Sequence, residues 1–326
     1  MRRIGILMFA TLIAAAPLSA QEHDPVTEAQ AQSAGQVNEE IPERVDIITP
    51  HITDGDHIEI PWILPPFHKS FTLPHWEPVH IGGLELDLSP TRHVVFLIIA
   101  SLLTMGVLLF AASASRRQHR ERGTPKGAAG ALEAMVLYIR NEVAVPNLGH
   151  GGEKYAPFVL TLFFFILFAN MLGLIPGGST ATGNIAVTAT LAIVTFLVIE
   201  IAGIRELGWG YVKTIVYWPH DMPLAVKLPM TLVMTPVEIV GKLTKPFALA
   251  IRLFANMTAG HIVVLALIGL IFSFGGAGGL TAYVAVAPLL MAVAIMLLEI
   301  FVALLQAFIF TLLSAVFIGL IRTSHH

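Results

Sequence analysis

Long blocks of apolar residues constrain this 326-residue chain more than any other feature of its sequence. Several blocks reach the roughly 20 residues that a helix needs to cross about 30 Å of hydrocarbon. The composition agrees, since 55% of the residues are hydrophobic and only 13% are charged. The sequence therefore predicts an all-α polytopic membrane protein with about five membrane-crossing helices. The blocks lie at about 93–114, 157–175, 184–204, 248–274 and 283–321.

The first 20 residues, MRRIGILMFATLIAAAPLSA, have the pattern of a secretory signal peptide. Two arginines precede an apolar run of about 13 residues, and Leu18, Ser19 and Ala20 resemble a small-residue cleavage site. The alternative, an uncleaved first span, would need a longer apolar run. We therefore predict a signal peptide over residues 1–20 and export of the segment that follows.

Residues 21–92 are polar and rich in proline, with 13 acidic residues against three basic ones. This composition predicts a loosely structured exported segment, with short strands around DIITPHITDGDHIEIPW, where apolar residues partly alternate. The histidines of the segment could in principle bind a metal, but their spacing matches no helix-borne or finger-like ligand pattern. Solvated surface histidines are favoured, and neither a metal nor another cofactor is predicted. These histidines are His23, His51, His57, His68, His75 and His80.

Basic residues in the loops predict the orientation of the helices. The loop between the first two blocks, SRRQHRERGTPKG, carries five Lys or Arg residues, and the positive-inside rule places it in the cytoplasm. The loops at 176–183 and 275–282 should then face outside, and neither contains Lys or Arg. The next inner loop carries five basic residues, and Arg322 follows the last block; the five are Arg205, Lys213, Lys227, Lys242 and Lys245. The N-terminus should be outside and the C-terminus inside.

Residues 128–146, AAGALEAMVLYIRNEVAVP, are too short and too charged to span a membrane. They suit an amphipathic helix that lies at the cytoplasmic interface. Glu133, Arg140 and Glu142 are interpreted as the water-facing side of this helix.

The last two apolar stretches are too long for upright spans. A helix from Pro288 to Ile321 would measure about 50 Å at 1.5 Å per residue, more than ordinary tilt absorbs. The preceding helix extends from Leu228 nearly to Phe274 and contains only three prolines as interruptions. Two long, steeply tilted helices, joined as a C-terminal hairpin near 275–282, are the simplest solution.

An antiparallel hairpin about that turn aligns the polar residues at two depths. Arg252 falls level with Gln306, and His261 falls level with Glu299, about 10–13 Å away. A charge in hydrocarbon costs at least about 3 kcal/mol on insertion scales, so Arg252 is a functional candidate. The less favoured alternative is a structural cation neutralised by carbonyl oxygens or by Glu299, which is a few turns away. His261 and Glu299 both titrate and suit a proton relay, with a structural hydrogen bond as the alternative. Asn256 and Gln306 could orient water or join helices.

Glu238 precedes Arg252 by 14 residues, close to four helical turns. It therefore falls near the same face of the helix, about 21 Å toward the cytoplasm. It suits the acidic lining of an inner water cavity. An ion pair with Lys242 at i+4 is an equally good interpretation.

Several segments of the chain together resemble subunit a of F-type ATP synthases. IRLFANMTAGH at 251–261 and LLQAFIF at 304–310 are similar to the two helices that mark the family. Further segments occur in the family's order: ANMLGLIPG at 169–177, GNIAVTATLA at 183–192 and PVEIVGKLTKPFALAIRLF at 236–254. The resemblance covers about 93–322, which is interpreted as the membrane proton-channel domain.

This resemblance implies a non-catalytic, proton-translocating subunit of a rotary ATP synthase in a bacterial inner membrane, with a periplasmic N-terminus and a cytoplasmic C-terminus. Two offset half-channels against a c-ring would couple proton flow to rotation and ATP synthesis. Arg252 would face the c-ring, and Glu238 would line the inner half-channel. The outer half-channel would be lined by Asn256, His261, Glu299 and Gln306.

The resemblance also implies structural roles for Asn170 and Asn184, which fall in family motifs. Some bacterial members hold Glu at the position of His261 and His at that of Glu299, so the two are exchanged here while an acid and an imidazole stay level. The exported segment 21–92 and the signal peptide are absent from many members. The expected partners are the c-ring, the peripheral-stalk b subunits, the other synthase subunits and the lipid bilayer, but no nucleic acid.

Two other functional classes compete with this interpretation. A secondary transporter with Arg252 as an anionic-substrate site would predict inverted repeats, and no internal repeat is evident in the sequence. A non-transporting scaffold would leave the level polar pairs unexplained. No GxxxxGK[ST] loop occurs, so nucleotide binding is not expected. The coupling ion stays open, although the pair of His261 and Glu299 favours protons over sodium.

Overall fold

A computed structural model describes the chain mainly from residue 89 onward. The signal peptide predicted for residues 1–20, and the part of the exported segment before residue 55, lie outside the described residues. The described residues are 55, 57–61, 68–77, 79–81, 84–87, 89–121, 127–175, 178, 180–216, 223–274 and 281–323.

Short strands occur in the exported segment, as its partial alternation of apolar residues predicts. β1 (His57–Pro61) pairs antiparallel with β2 (His68–Thr72), and His57 lies opposite Thr72. β3 (Val79–Ile81) pairs in the same way with β4 (Leu84–Leu86). Two separate two-stranded ribbons result, and neither is large enough to enclose a core of its own.

Helices account for most of the described chain, and five of them are long and apolar enough to cross a membrane. The first three are α1 (Arg92–Glu121), α4 (Ala156–Gly173) and α5 (Ile185–Leu207). The prediction of an all-α polytopic membrane protein is confirmed. α1 extends well beyond the apolar block from which it was predicted, because the basic sequence that follows also favours a helix.

The segment predicted to be an interfacial helix forms three short helical pieces in succession. α2 (Ala128–Tyr138) continues through a π-helical turn (Ile139–Ala144) into α3 (Val145–Leu148). Ile139 is buried whereas Arg140 and Glu142 are exposed, so the segment has one packed side and one open side. Glycine in the left-handed region at Gly151 (φ 74°) then leads into α4 through the 3-10 turn Gly152–Tyr155.

The two C-terminal helices are much longer than the membrane is thick. α6 (Leu224–Phe274) has 51 residues and α7 (Thr281–Thr323) has 43, or about 76 and 64 Å at 1.5 Å per residue. Pro229, Pro236 and Pro246 lie within α6 without ending it. Proline is tolerated in membrane helices where neighbouring groups satisfy the freed carbonyls.

The centre of the bundle is α4, which packs against α1 and α7. Its aromatic residues occupy the core, and the Phe164 ring is fully buried, 5.2 Å from the Phe163 ring in an edge-to-face arrangement. Leu253 of α6 and Phe310 of α7 join the same core. α7 packs against α4, and α6 packs against α5 and α7, so one side of each long helix is fixed by the bundle. This packing sets which of their polar residues face outward.

A polar cluster closes the bundle at the end where α7 finishes. The buried Arg322 guanidinium donates hydrogen bonds to the carbonyl oxygens of Leu148 (2.7 Å) and His150 (3.1 Å) and to the Glu206 carboxylate (3.3 Å). Lys154 forms a second ion pair with Glu206 at 3.4 Å. These contacts, called the Arg322 clasp below, tie the end of α7 to α3, to the start of α4 and to the end of α5.

Candidate functional site

Arg252 lies on the outward side of α6. Its neighbour Leu253 is fully buried in the bundle core, whereas Ile251 and Arg252 are exposed. Among the described residues, Arg252 has neither a hydrogen-bond acceptor nor an ion-pair partner. The structural alternative, neutralisation by Glu299, does not occur in this part of the chain. An unpaired guanidinium in a membrane helix is costly, which makes Arg252 a functional candidate.

The α6–α7 hairpin is antiparallel and joined by an amide pair. The Asn256 side-chain nitrogen donates a hydrogen bond of 3.1 Å to the Gln306 side-chain oxygen. Gln306 is almost completely buried, so its amide lies in the seam between the helices. Gln306 thus contacts α6 one turn beyond Arg252. The register predicted from the sequence aligns Gln306 with Arg252 itself. The Cα–Cβ bonds of a helix lean toward its N-terminus, and in α7 this lean carries Gln306 toward Asn256.

Glu299 touches α6 one residue before His261. A Cβ added at Gly260 would overlap the Glu299 carboxylate, so this glycine is needed to let the acid approach the α6 backbone. Glu299 is buried and His261 is half-buried. The acid and the imidazole therefore occur at the same level of the hairpin, as the register arithmetic predicted, in a seam that is partly shielded from the surroundings.

A cavity of about 420 Å³ opens between α5, α6 and α7, on the Leu224 side of Arg252. Glu238 lines it together with Lys242 and Lys245. The Lys242 ammonium donates to the Tyr211 hydroxyl at 3.3 Å and to the Thr214 hydroxyl at 3.0 Å. No ion pair between Glu238 and Lys242 occurs within the described ranges, so the cavity lining, and not the i+4 pair, is the interpretation that the geometry favours.

The two asparagines assigned structural roles are both engaged within the bundle. Asn170 is fully buried, accepts a 2.7 Å hydrogen bond from the Thr182 hydroxyl and donates to the Ala303 carbonyl at 3.4 Å. The Asn184 side chain caps α5 by accepting from the Ala186 N–H at 2.9 Å, as asparagine commonly does at a helix start. These bonds fix the connection between α4 and α5 against α7.

Two charged residues inside the bundle have positions that the sequence did not predict. Glu200 of α5 lines the same cavity as Glu238, and Arg322 forms the clasp. Glu200 carries the signal that singled out Glu299, an acid within an apolar block, and could have been found in that way. Arg322 follows the last apolar block like an ordinary flanking charge, and nothing in the sequence indicates its burial.

The possibility of a metal site concerns only the histidines of residues 21–92. In the part of the chain that the structure describes, no group of three or more His, Asp or Glu side chains could hold a metal ion. His23 and His51 lie outside the described residues.

Comparison with known proteins places the chain in a family. Residues 94–319 match the family model described as ATP synthase A chain. ATP synthase subunit a of Chloroherpeton thalassium is 42% identical over 280 residues, which are 86% of this chain and 77% of the relative. The protein of that name from Myxococcus xanthus is 42% identical over 297 residues, 82% of this chain and 90% of the relative. ATP synthase subunit a 2 of Chlorobaculum tepidum is 42% identical over 247 residues, 74% of this chain and 64% of the relative. The chain is therefore a member of the ATP synthase A chain family, to which these subunits a belong.

Proposed function

We propose that this membrane protein is the proton-translocating, non-catalytic subunit a of a rotary ATP synthase in a bacterial inner membrane. Its exported segment would face the periplasm and its C-terminus the cytoplasm. Its partners would be a c-ring, the peripheral-stalk b subunits and the remaining synthase subunits. The single observation that carries the proposal is Arg252, an exposed membrane arginine with no partner among the described residues of its own chain.

The first part of the proton path would be the seam of the hairpin. A proton entering from outside would pass His261 of α6 and Glu299 of α7, which lie at one level of the hairpin. It would then reach a ring carboxylate beside Arg252. Imidazole and carboxyl groups can each accept and release a proton, as intramembrane relays require. The Asn256–Gln306 bond at 3.1 Å lies between the relay and Arg252 and would hold both helices in register.

Arg252 would separate the two half-channels. A guanidinium does not lose its proton in a protein, so it cannot itself pass protons from one side to the other. Its charge favours the ionised form of a ring carboxylate, which must therefore release its proton before it passes. A proton moving through 100 mV provides about 2.3 kcal/mol, and only a path without a leak can convert this energy into rotation.

The second part of the path would be the cavity lined by Glu238. The cavity begins at Leu249, about one helical turn from Arg252. Glu238 lines it about four turns from Arg252. A proton released from the ring after a rotation would leave through this cavity to the cytoplasm. The two halves of the path are then offset, since the seam and the cavity lie on opposite sides of Arg252 along α6.

Arg252→Ala tests the proposal. We expect proton-driven ATP synthesis in inverted vesicles to be abolished, whereas the variant still co-purifies with a ring of small hairpin subunits, because Arg252 makes no described contact within the bundle. Arg205→Ala, which removes an exposed arginine from the end of α5, is the matched control and should keep wild-type rates. Normal synthesis by Arg252→Ala would overturn the assignment.

A further inference from the structure

Glu200 is an acid in the wall of the inner cavity to which neither the sequence nor the family resemblance assigned a role. It lies seven residues before Leu207, the end of α5, and so about 10 Å inside the helix at 1.5 Å per residue. Its side chain is half-buried. Within the described ranges it forms no hydrogen bond or ion pair, although ionisable groups inside membrane helices are usually paired or functional.

The cavity connects the level of Arg252 with that of Glu238. Its lining includes Leu249, which precedes Arg252 by three residues and about 4.5 Å of helix. Glu238 lies 11 residues further toward the start of α6, about 16 Å away by the same rise. Glu200 enters the space from α5, the wall that faces α6. Glu200 and Glu238 thus place carboxyl groups on two different walls of the space that extends from Leu249 toward the start of α6.

The other charged groups at the cavity do not neutralise Glu200 by direct contact. α6 contributes Glu238, Lys242 and Lys245. The Lys242 ammonium is bonded to the Tyr211 and Thr214 hydroxyls, and the Lys245 ammonium lies 5.0 Å over the Phe317 ring. α7 contributes only apolar side chains to the lining. The two ammonium groups thus favour charge on the cavity acids at a distance and leave the Glu200 oxygens open to water or to a proton donor.

We propose that Glu200 is a proton-relay residue of the inner cavity and carries protons between the ring carboxyl near Arg252 and Glu238. During ATP synthesis the ring carboxylic acid would give its proton, directly or through water, to the Glu200 carboxylate. Glu200 would then give the proton to Glu238 or to cavity water and return to its ionised form. One proton leaves the ring and one enters the cytoplasm, so charge balances in each cycle. This inference rests on the proposed function.

Glu200→Gln is the direct test, measured in the assembled enzyme. Glutamine has nearly the same size but cannot accept the proton, so we expect ATP synthesis and passive proton conduction to fall about tenfold, equivalent to about 1.4 kcal/mol on the rate-limiting barrier. Glu142→Gln is the matched control, because Glu142 is an exposed acid of the interfacial segment and does not line the cavity. It should keep wild-type rates.

Glu200→Asp separates a relay from a structural role. The aspartate variant should recover much of the rate, and its conduction profile should shift toward lower pH on the cytoplasmic side, because aspartic acid is the stronger acid. Wild-type rates in Glu200→Gln would overturn the relay. A slow Glu200→Asp variant whose pH profile of proton conduction is unshifted would also overturn the relay. This test applies even if Glu200→Gln fails to assemble.

The two proposals fail in different ways. If Arg252→Ala abolishes synthesis while Glu200→Gln retains it, the proposed function stands and the relay falls. If Arg252→Ala retains synthesis, the proposed function itself falls.

Discussion

The central helix α4 and the C-terminal hairpin are both apolar, but they use polar residues in opposite ways. In the span that contains α4, 67% of an apolar 18-residue stretch is buried inside the bundle. The corresponding share in each hairpin helix is 11%. Asn170 of α4 is fully enclosed, with a donor and an acceptor in reach. Arg252 of α6 is exposed and has no partner among the described residues.

This difference distinguishes polarity that holds a membrane protein together from polarity that acts on a partner. A buried amide satisfied inside the chain contributes to packing and orientation. An exposed charge gains nothing from the bundle, and ionisable residues in membrane helices are rare and usually functional. Hydropathy alone does not separate the two cases, because both residues lie within long apolar blocks. Substitutions in α4 should therefore reduce stability, and those in the hairpin should reduce function.

The largest effect on stability is expected from paired phenylalanine substitutions. Phe164 is 0% exposed and Phe301 is 57% exposed. Phe164→Ala should lower the free energy of unfolding by about 2–3 kcal/mol, since it loses packing contacts and leaves a cavity. Phe301→Ala should change it by less than about 0.5 kcal/mol, as for other exposed sites. Thermal unfolding midpoints in detergent measure both, and equal shifts would break the comparison.

A smaller effect is expected from the two asparagines. Asn170→Ala leaves the Thr182 hydroxyl without its buried acceptor and should cost about 1–2 kcal/mol of stability. Asn256→Ala removes one interhelical bond at an exposed site, where about 0.6 kcal/mol is typical in membranes. Unfolding midpoints give the first difference. Synthesis rates per assembled complex should show the reverse order, with Asn256→Ala the slower variant; the opposite result would contradict the division of roles.

The smallest effect sharpens the comparison within the hairpin itself. Gly260→Ala places a methyl group against the Glu299 carboxylate, whereas Gly269→Ala meets nothing within 4 Å. Displacement of the acid should raise the proton-transfer barrier by about 1 kcal/mol, or roughly fivefold in synthesis rate, with little loss of assembled protein. Gly269→Ala, in the same helix, is the control. Identical rates in both variants would argue that the position of Glu299 does not limit transfer.

The sequence predicted which helices form better than it predicted which side of each helix points outward. The lengths of the apolar blocks and the charged loops between them were sufficient to predict five membrane spans and the long hairpin. The number of residues in a span follows from the thickness of the bilayer. The arithmetic about the turn came within one helical turn for Gln306. It could not include the lean of side chains along each helix, which moves the contact of Gln306 from Arg252 to Asn256.

The outward facing of Arg252 depends on how α6 packs against α5 and α7, and periodicity alone does not fix that rotation. In α6 both sides are apolar, so the sequence has no polar face from which the rotation could be read. Glu200, an acid within an apolar block, could have been singled out from the sequence, but the cavity that it lines could not. That cavity lies between α5, α6 and α7, three segments that are distant in sequence.

The Arg322 clasp also has a consequence for biosynthesis. Arg322 is translated 116 residues after Glu206 and 174 residues after Leu148. Until it emerges from the ribosome, the Glu206 carboxylate and the Leu148 and His150 carbonyls lack the donor that joins them. The helices that surround the cavity can thus enter the membrane one after another, but this end of the bundle closes only when synthesis of α7 is nearly complete. The clasp can therefore form only after every helix around the cavity has been synthesised.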